Sequence, residues 1–272
     1  MFVAIIPAKN EAKNLKKVIM KLPLDSIDLI IPVLNGCTDN SLQVLQQLNC
    51  PILAPIVFSE SLGIDVPRAV GAIISKKMNA EGSLFVDGDM HGVDTGALKN
   101  LIDAVKYRGI DLALTNCYPD YIQTQLSSTA ACLIEMRNSL NRHLKLFDKI
   151  NSATPSHGPH AVSGKLHSLA APYDFAVPPL LLSKSAGAGL KVEAAAEIPH
   201  IMLGSTLRSY EHVNKIAETI IGDCLEALTW KEGKRPPGNR TKDGKEYIGY
   251  NGERRLDLLE QFAKGEVEHN YY

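Results

Sequence analysis

The chain has 272 residues, a formal net charge of −1 and eight histidines, with a sequence pI near 6.7. That length holds one large α/β domain or two small ones, and the charge balance excludes bulk attraction to nucleic acid or an anionic membrane, so phosphate recognition has to be local. No apolar run approaches the ~20 residues that span a bilayer, no signal-peptide pattern precedes the first strand, and five scattered cysteines read as free thiols, which together predict a cytoplasmic protein without an integral membrane segment.

In chain order, the first expected strand, Val3–Ile6, runs into Pro7-Ala8-Lys9-Asn10-Glu11, followed by a helix over Ala12–Leu22. A strand at Asp28–Val33 leads to Leu34-Asn35-Gly36-Cys37-Thr38-Asp39 and a helix over Asn40–Leu48. Next come a strand at Ile52–Phe58, a glycine-bounded stretch from Gly63 through Pro67-Arg68 to Gly71, and a helix over Val66–Met78. A strand at Ser83–Val86 ends on Asp87-Gly88-Asp89, followed by a helix over Thr95–Tyr107 and a strand at Leu112–Thr115. Short apolar runs alternating with three- and four-residue periodicity predict an α/β fold, a Rossmann-like, doubly wound, mainly parallel sheet with helices on both faces. Ligands of such sheets collect at the carboxyl ends of the strands, where these polar motifs fall.

The second half is less regular. A helix is expected around Ala130–Phe147, then an irregular loop from Asn151 to His160 rich in Pro, Gly and Ser, a short helix near Ser163–Ala170, a segment at Tyr173–Ala186, a strand at Leu190–Glu193 and a helix from Ser209 to Trp230. Residues 231–252, rich in Gly, Lys, Arg and Pro, read as a mobile or peripheral segment before a helix at Arg254–Ala263. The domain reading is 1–208 for the main domain, with a nucleotide-binding half over about 1–115 and an acceptor half over about 116–208, and 209–272 as a C-terminal helical extension.

A sugar nucleotide presents a base, a ribose, a diphosphate and a hexose, and the strand ends offer a group for each. The Asn35 amide can donate and accept in one plane, as a base edge requires, and Glu11 can accept from a ribose hydroxyl. Arg68 has the planar fork suited to phosphate. Asp87 and Asp89, one residue apart, form a compact oxygen site for a hard divalent cation that can grip a diphosphate and stabilise charge as it leaves. Each has a plainer reading: the two aspartates as caps of the following helix, Arg68 as an ion-pair partner, Glu11 as a favourable charge at a helix start, Asn35-Gly36 as a turn pair.

Pro7-Ala8-Lys9-Asn10-Glu11 resembles the opening motif of family 2 and related GT-A glycosyltransferases. Asn35-Gly36-Cys37-Thr38-Asp39 is similar to their Asp-Gly-Ser-Thr-Asp turn, and Asp87-Gly88-Asp89 to their Asp-X-Asp metal motif. The resemblance covers roughly residues 1–205 and implies a GT-A fold and transfer of a sugar from a nucleotide-diphosphate donor, a UDP-sugar first, with Mg²⁺ or Mn²⁺. It implies donor contacts from Pro7, Ala8, Asn10, Glu11, Asn35, Arg68, Asp87 and Gly88, and Asp89 as a metal ligand with His200, His212 being a second candidate. It also implies an acceptor-side loop with His157, Gly158 and His160, for which a plain loop is the alternative. Near Tyr173–Leu180, where the family often places a catalytic carboxylate, Pro178 takes one acidic position and Asp174 is the nearest substitute. The acceptor is expected to be a small or lipid-linked molecule, and a homo-oligomer is compatible with the reading. Two rivals remain: a non-catalytic sugar-nucleotide-binding protein, and a sugar-phosphate nucleotidyltransferase, whose usual Gly-rich loop after the first strand is not present in Pro7–Glu11.

Overall fold

The computed structural model describes residues 1–119, 121, 126–204, 210–230, 253–266 and 270–271. Its strands are β1 (Phe2–Ala8), β2 (Leu29–Asn35), β3 (Ile56–Phe58), β4 (Gly82–Phe85), β5 (Leu112–Asn116), β6 (His160–Ser163), β7 (Val192–Glu197) and β8 (Asn270–Tyr271). They form one sheet in the order β7-β5-β6-β4-β1-β2-β3-β8. β4, β1, β2 and β3 run parallel, with Ile5 opposite both Ile31 and Phe85. β6 lies antiparallel between β4 and β5, and β7 runs parallel to β5. The carboxyl ends of β1, β2, β4, β5 and β7 and the first residue of β6 therefore meet at one edge of the sheet.

Side chains alternate across a strand, so β1 feeds two cores. Phe2, Ala4, Ile6 and Ala8 face α1 (Leu15–Lys21), α2 (Ser41–Gln46) and α4 (Thr95–Arg108). Val3 and Ile5 face α3 (Val66–Lys77), α7 (Gly164–Leu169), α8 (Pro172–Ala176), α9 (Pro178–Gly187), α10 (Tyr210–Thr229) and α11 (Leu256–Lys264). The remaining helices, α5 (Ser128–His143) and α6 (Phe147–Ile150), continue the chain between β5 and β6. Helix α3 approaches β1 at Gly71, where a Cβ would lie 2.3 Å from Ile5 Cγ2, a contact only glycine permits. Among the described residues no helix is long and apolar enough to cross a membrane.

The alternating first half follows the sequence expectation, with shifted boundaries. Pro51 and Pro55 remove ladder donors, so the expected strand at Ile52–Phe58 shrinks to Ile56–Phe58 with a single bridge from Leu53 to Ile30. The largest difference is β6: the stretch ending at His160 was expected as a loop running to a helix, and four residues are too few for alternation to mark a strand. Pro178 and Pro179 open α9 and end α8 at Val177, because proline cannot continue the preceding helix. Described parts of 209–272 pack into the larger core through Ile220, Cys224, Ala227, Leu259 and Phe262. The segment 231–252 lies outside the described residues.

At the β4–β6 junction the core is aromatic. His160 stacks on Phe85 at 4.8 Å and 7°, and His167 stacks on Phe175 at 5.3 Å. His167 Nε2 is 2.8 Å from Ser83 Oγ. Burial, reinforced by the charge of Arg68 for His160 and of Lys76 for His167, pushes both imidazoles down to about 3. Below an unfolded-state value of about 6.5 the unfolded chain binds protons that the native state refuses, so each histidine removes about 1.4 kcal/mol of stability per pH unit as pH falls from there towards 3. Replacing His160 with Phe keeps the stack on Phe85. Urea unfolding between pH 6 and 4 is expected to show an acid limb shallower by about 1.4 kcal/mol per pH unit in His160→Phe, with unchanged slope above pH 7; parallel curves contradict the buried neutral imidazole.

Candidate active site

The strand ends are joined by their own polar groups. Gly88 N–H donates to the Pro7 carbonyl at 2.8 Å, and a Cβ on Gly88 would lie 2.8 Å from the Ala8 Cβ, so glycine is what lets the end of β4 lie against the end of β1. Asn10, with φ of 58°, accepts the Thr38 N–H at 2.8 Å and donates its own N–H to Cys37 Sγ at 3.3 Å. Glu11 N–H donates to Ser41 Oγ at 3.0 Å, and Ala12 N–H to the Asp39 carboxylate at 3.0 Å. The motifs after β1 and β2 are thereby one structure. The Glu11 carboxylate, buried at 9% exposure, accepts from Asn14 Nδ2 at 2.8 Å in the turn entering α1.

Asn35 is placed at the same edge, and its amide is engaged. Its Oδ1 accepts the Leu62 N–H at 2.5 Å and its Nδ2 donates to the Gly63 carbonyl at 3.0 Å. In this arrangement the residue expected at the base edge positions the loop before α3. That loop is also held from the far end of the chain: Arg255 N–H donates to the Leu62 carbonyl at 2.9 Å, and a Cβ on Gly63 (φ 83°) would meet the Glu253 carbonyl oxygen at 2.2 Å.

Arg68, in the first turn of α3, bonds both oxygens of Asp87 through one guanidinium nitrogen, at 2.6 and 2.5 Å, and Asp65 through the other. Asp65 in turn accepts from Arg254 at 3.2 Å, and Arg254 makes a bidentate pair with Asp223 at 3.0 and 2.7 Å. Five charges of alternating sign thus run from the end of β4 to α10, with the side chains of Arg68, Asp65, Arg254 and Asp223 all buried. Burial alone would lower both arginines, but the flanking carboxylates raise them, so they stay charged. Burial pushes Asp65 up, against the pull of Arg68 and Arg254. Arg68 therefore neutralises Asp87 here, where the sequence suggested a phosphate partner.

At the opposite side of the edge, His157 Nε2 lies 3.1 Å from His200 Nδ1. Tyr118, just past β5, stacks on both rings with centroids at 5.2 and 5.5 Å. Burial first and the positive charge of Arg137 second hold both imidazoles below their ordinary value. The turn carrying His200 abuts the segment after Asp89, since Gly92 N–H donates to the Leu203 carbonyl at 3.0 Å. Gly158, with φ of 78°, packs on Cys117, while His160 is turned into the aromatic core, at 3% exposure. The His212 side chain lies outside the described residues.

Asp174 is enclosed rather than open to this edge. It is fully buried in α8, accepts the Ala171 N–H at 2.8 Å as the third residue of a capped helix, and pairs with Lys184 at 2.6 Å. A carboxylate enclosed in this way cannot reach an acceptor hydroxyl; the expectation of a base at Asp174 is corrected to a structural ion pair and cap.

Among the described residues no three His, Cys, Asp or Glu side chains already form a metal cage. Mg²⁺ and Mn²⁺ bound to nucleotides use one or two carboxylates and take remaining ligands from phosphates and water. With Asp87 paired to Arg68, the half-buried Asp89 is the carboxylate of the pair that fits this role, and His200 stands on the adjoining turn.

Sequence reasoning missed Asp65, Asp223, Arg254, Tyr118 and Arg137. Asp65 carried a signal, an aspartate before Val66-Pro67 at a helix start. Arg254 and Asp223 lie 31 residues apart, and Arg254 is 189 from Asp65, beyond any local pattern.

No protein-family model matches the chain, and no curated protein matches it. Solved structures do. Glucosyl-3-phosphoglycerate synthase from Mycobacterium tuberculosis, in complex with Mn²⁺, UDP and glucosyl-3-phosphoglycerate, is 16% identical and aligns with a TM-score of 0.56 over 88% of this chain and 82% of that one. The same protein with Mn²⁺, UDP-glucose and phosphoglyceric acid aligns at 16% identity and TM-score 0.56, over 88% and 81%. A structure described as a mycobacterial protein aligns at 16% identity and TM-score 0.59, over 88% and 76%. The likeness establishes the fold as the GT-A type, as the strand-end motifs led one to expect.

The ion chain predicts non-additive stability. Arg254→Met removes the cation between Asp65 and Asp223, leaving Asp65 to Arg68 and taking the bidentate partner from Asp223; it is expected to destabilise by about 3–5 kcal/mol in urea unfolding, whereas adding Asp223→Leu removes one excess buried charge and recovers at least about 1 kcal/mol. Additive losses, or a single-variant loss under about 0.5 kcal/mol, contradict the chain as described.

Proposed function

We propose that this chain is a metal-dependent glycosyltransferase that moves a sugar from a nucleotide-diphosphate donor, a UDP-sugar first, to a small acceptor. The observation that carries the reading is the convergence of the motifs after β1, β2 and β4 into one bonded structure at the ligand-binding edge of a GT-A fold. The neighbours in complex with UDP, UDP-glucose and Mn²⁺ support it. A lipid-linked acceptor is the alternative to a small one, and a cytoplasmic location belongs to the same proposal.

In this reading Asp89 holds the divalent cation, with His200 as a second ligand through Nε2, because Nδ1 faces His157. The ion, when bound, neutralises the diphosphate and stabilises its charge as it leaves. Asp87, oriented by Arg68, contributes to the donor side, and the Asn10–Thr38 and Asn35–Leu62 contacts shape the floor on which the nucleoside lies. The enclosure of Asp174 supports a second reading, a protein that binds sugar nucleotides without turning them over. Incubation with a panel of nucleotide sugars separates the two: the transferase releases nucleoside diphosphate, and a binding protein saturates without release.

With Asp87 neutralised by Arg68, the Asp89 carboxylate without a cation would still oppose a diphosphate, so binding should need the cation. UDP affinity by calorimetry is expected to rise at least about tenfold with Mn²⁺ over a chelated sample, and Asp89→Ala is expected to abolish that gain and lower turnover by about 10²-fold or more, with unfolding free energy within about 1 kcal/mol of wild type. Metal-independent UDP binding, or near wild-type turnover in Asp89→Ala, would sink the assignment.

A further inference from the structure

Helix α5 turns Ile134, Arg137, Asn138 and Asn141 inward at helical spacing, and Arg137 is 2% exposed. A guanidinium so enclosed keeps its charge and normally faces an anion. Among the described residues Arg137 has no carboxylate partner. Glu135, two positions away, pairs with Arg142 at 2.9 Å, and Arg137 Nε lacks any hydrogen-bond partner. What the guanidinium meets is Tyr118: its Cζ lies 5.8 Å from the ring centroid, and the phenol oxygen takes a hydrogen bond from it. Arg68 and Arg254 are the contrast, each held between two aspartates.

The surroundings of Arg137 say where the missing anion would sit. Tyr118 stacks on His157 and His200, which face each other at 3.1 Å, so the cation, two imidazoles and the phenol form one group past the end of β5. The charge of Arg68 also reaches His157. This group lies at the edge that carries Asp87 and Asp89, on the β5–β6–β7 side rather than the β1–β2 side. A donor nucleoside laid over the ends of β1 and β2 leaves that side for the second substrate.

We infer that Arg137 and His157 form the subsite for an anionic group, phosphate or carboxylate, carried by the sugar acceptor. The inference deepens the glycosyltransferase reading and rests on it for the word acceptor; the anion site itself rests on a buried cation with no carboxylate partner among the described residues. Arg137 supplies a planar fork that matches either anion through two parallel hydrogen bonds. His157 supplies an imidazole N–H at the mouth of the group. Binding there would anchor the acceptor by its charged end and leave a hydroxyl directed at the donor.

The test is calorimetric titration of the full chain with glycerol 3-phosphate, with glycerate, and with UDP plus Mn²⁺, for wild type, Arg137→Met and Arg137→Lys. Wild type is expected to bind glycerol 3-phosphate or glycerate, and whichever binds more tightly identifies the anion. Arg137→Met should weaken that binding at least about 30-fold and Arg137→Lys about 5- to 10-fold, since a lysine keeps the charge and loses the fork. UDP affinity should stay within about threefold in all three proteins, because an acceptor group does not touch the nucleotide. Anion binding without UDP binding supports the subsite and overturns the donor reading instead. No binding of either anion to wild type at millimolar concentration overturns the inference. So does equal affinity in wild type and Arg137→Lys if Arg137→Met fails to fold, or a loss of UDP binding in step with the anion, which puts Arg137 on the donor side.

Discussion

The alternating series Asp87, Arg68, Asp65, Arg254 and Asp223 is the interaction on which the site depends. Any one of these charges, buried alone, would be expelled from the interior or neutralised. Each arginine is flanked by two carboxylates, so the series is self-consistent only when complete. Its open end is Asp87, at the end of β4. Fixing Asp87 by both oxygens separates the two members of the strand-end pair: one aspartate is neutralised by Arg68, and the proposed cation-binding role falls to its neighbour two residues on, Asp89. Two carboxylates so close would otherwise compete for the same ion and repel each other.

The same series explains how a distant stretch of chain shapes the edge. Glu253, Arg254 and Arg255 press on the loop from Glu60 to Asp65 through a backbone hydrogen bond to Leu62, the close contact at Gly63 and ion pairs to Asp65 and to Glu60, the last at 3.0 Å. Asn35 grips that loop from the β2 side. The loop is therefore clamped between the sheet and residues almost two hundred positions later. A site assembled by such long-range contacts is rigid once formed and contributes little to early folding, because the loop closure it requires is large. The left-handed backbone of Asp65, with φ of 60°, is tolerated here because the surrounding contacts over-determine it.

The sheet and the motifs on it were readable because strand, turn chemistry and helix follow one another within some fifteen residues at Val3–Glu11, Asp28–Asp39 and Ser83–Asp89. Local rules suffice there. They failed at β6, whose four residues His160–Ser163 owe their extended state to the flanking β4 and β5. At Asp174 the local rule and the resemblance pointed different ways. A proline at the first helical position and an aspartate at the third is a helix-start pattern, and that local meaning outweighed the family position assigned to it. Arg137 shows a third kind of limit: its place on the inner face of α5 is periodic and readable, but the lack of a compensating carboxylate among the described residues is a property of three-dimensional neighbours. Asn35 and Arg68 stand at the strand-end edge, while the partners that engage them, Leu62, Gly63, Asp65 and Asp87, emerge only from the fold.

The central claim is that Asp89 binds a divalent cation that in turn binds a nucleoside diphosphate at the carboxyl edge of the sheet. Anomalous diffraction from crystals grown with Mn²⁺ and UDP tests this directly. The account predicts an Mn²⁺ peak within coordination distance of an Asp89 carboxylate oxygen and of the UDP phosphates, with Asp87 still paired to Arg68. A peak held by other residues, or UDP bound away from the ends of β1, β2 and β4, would contradict it.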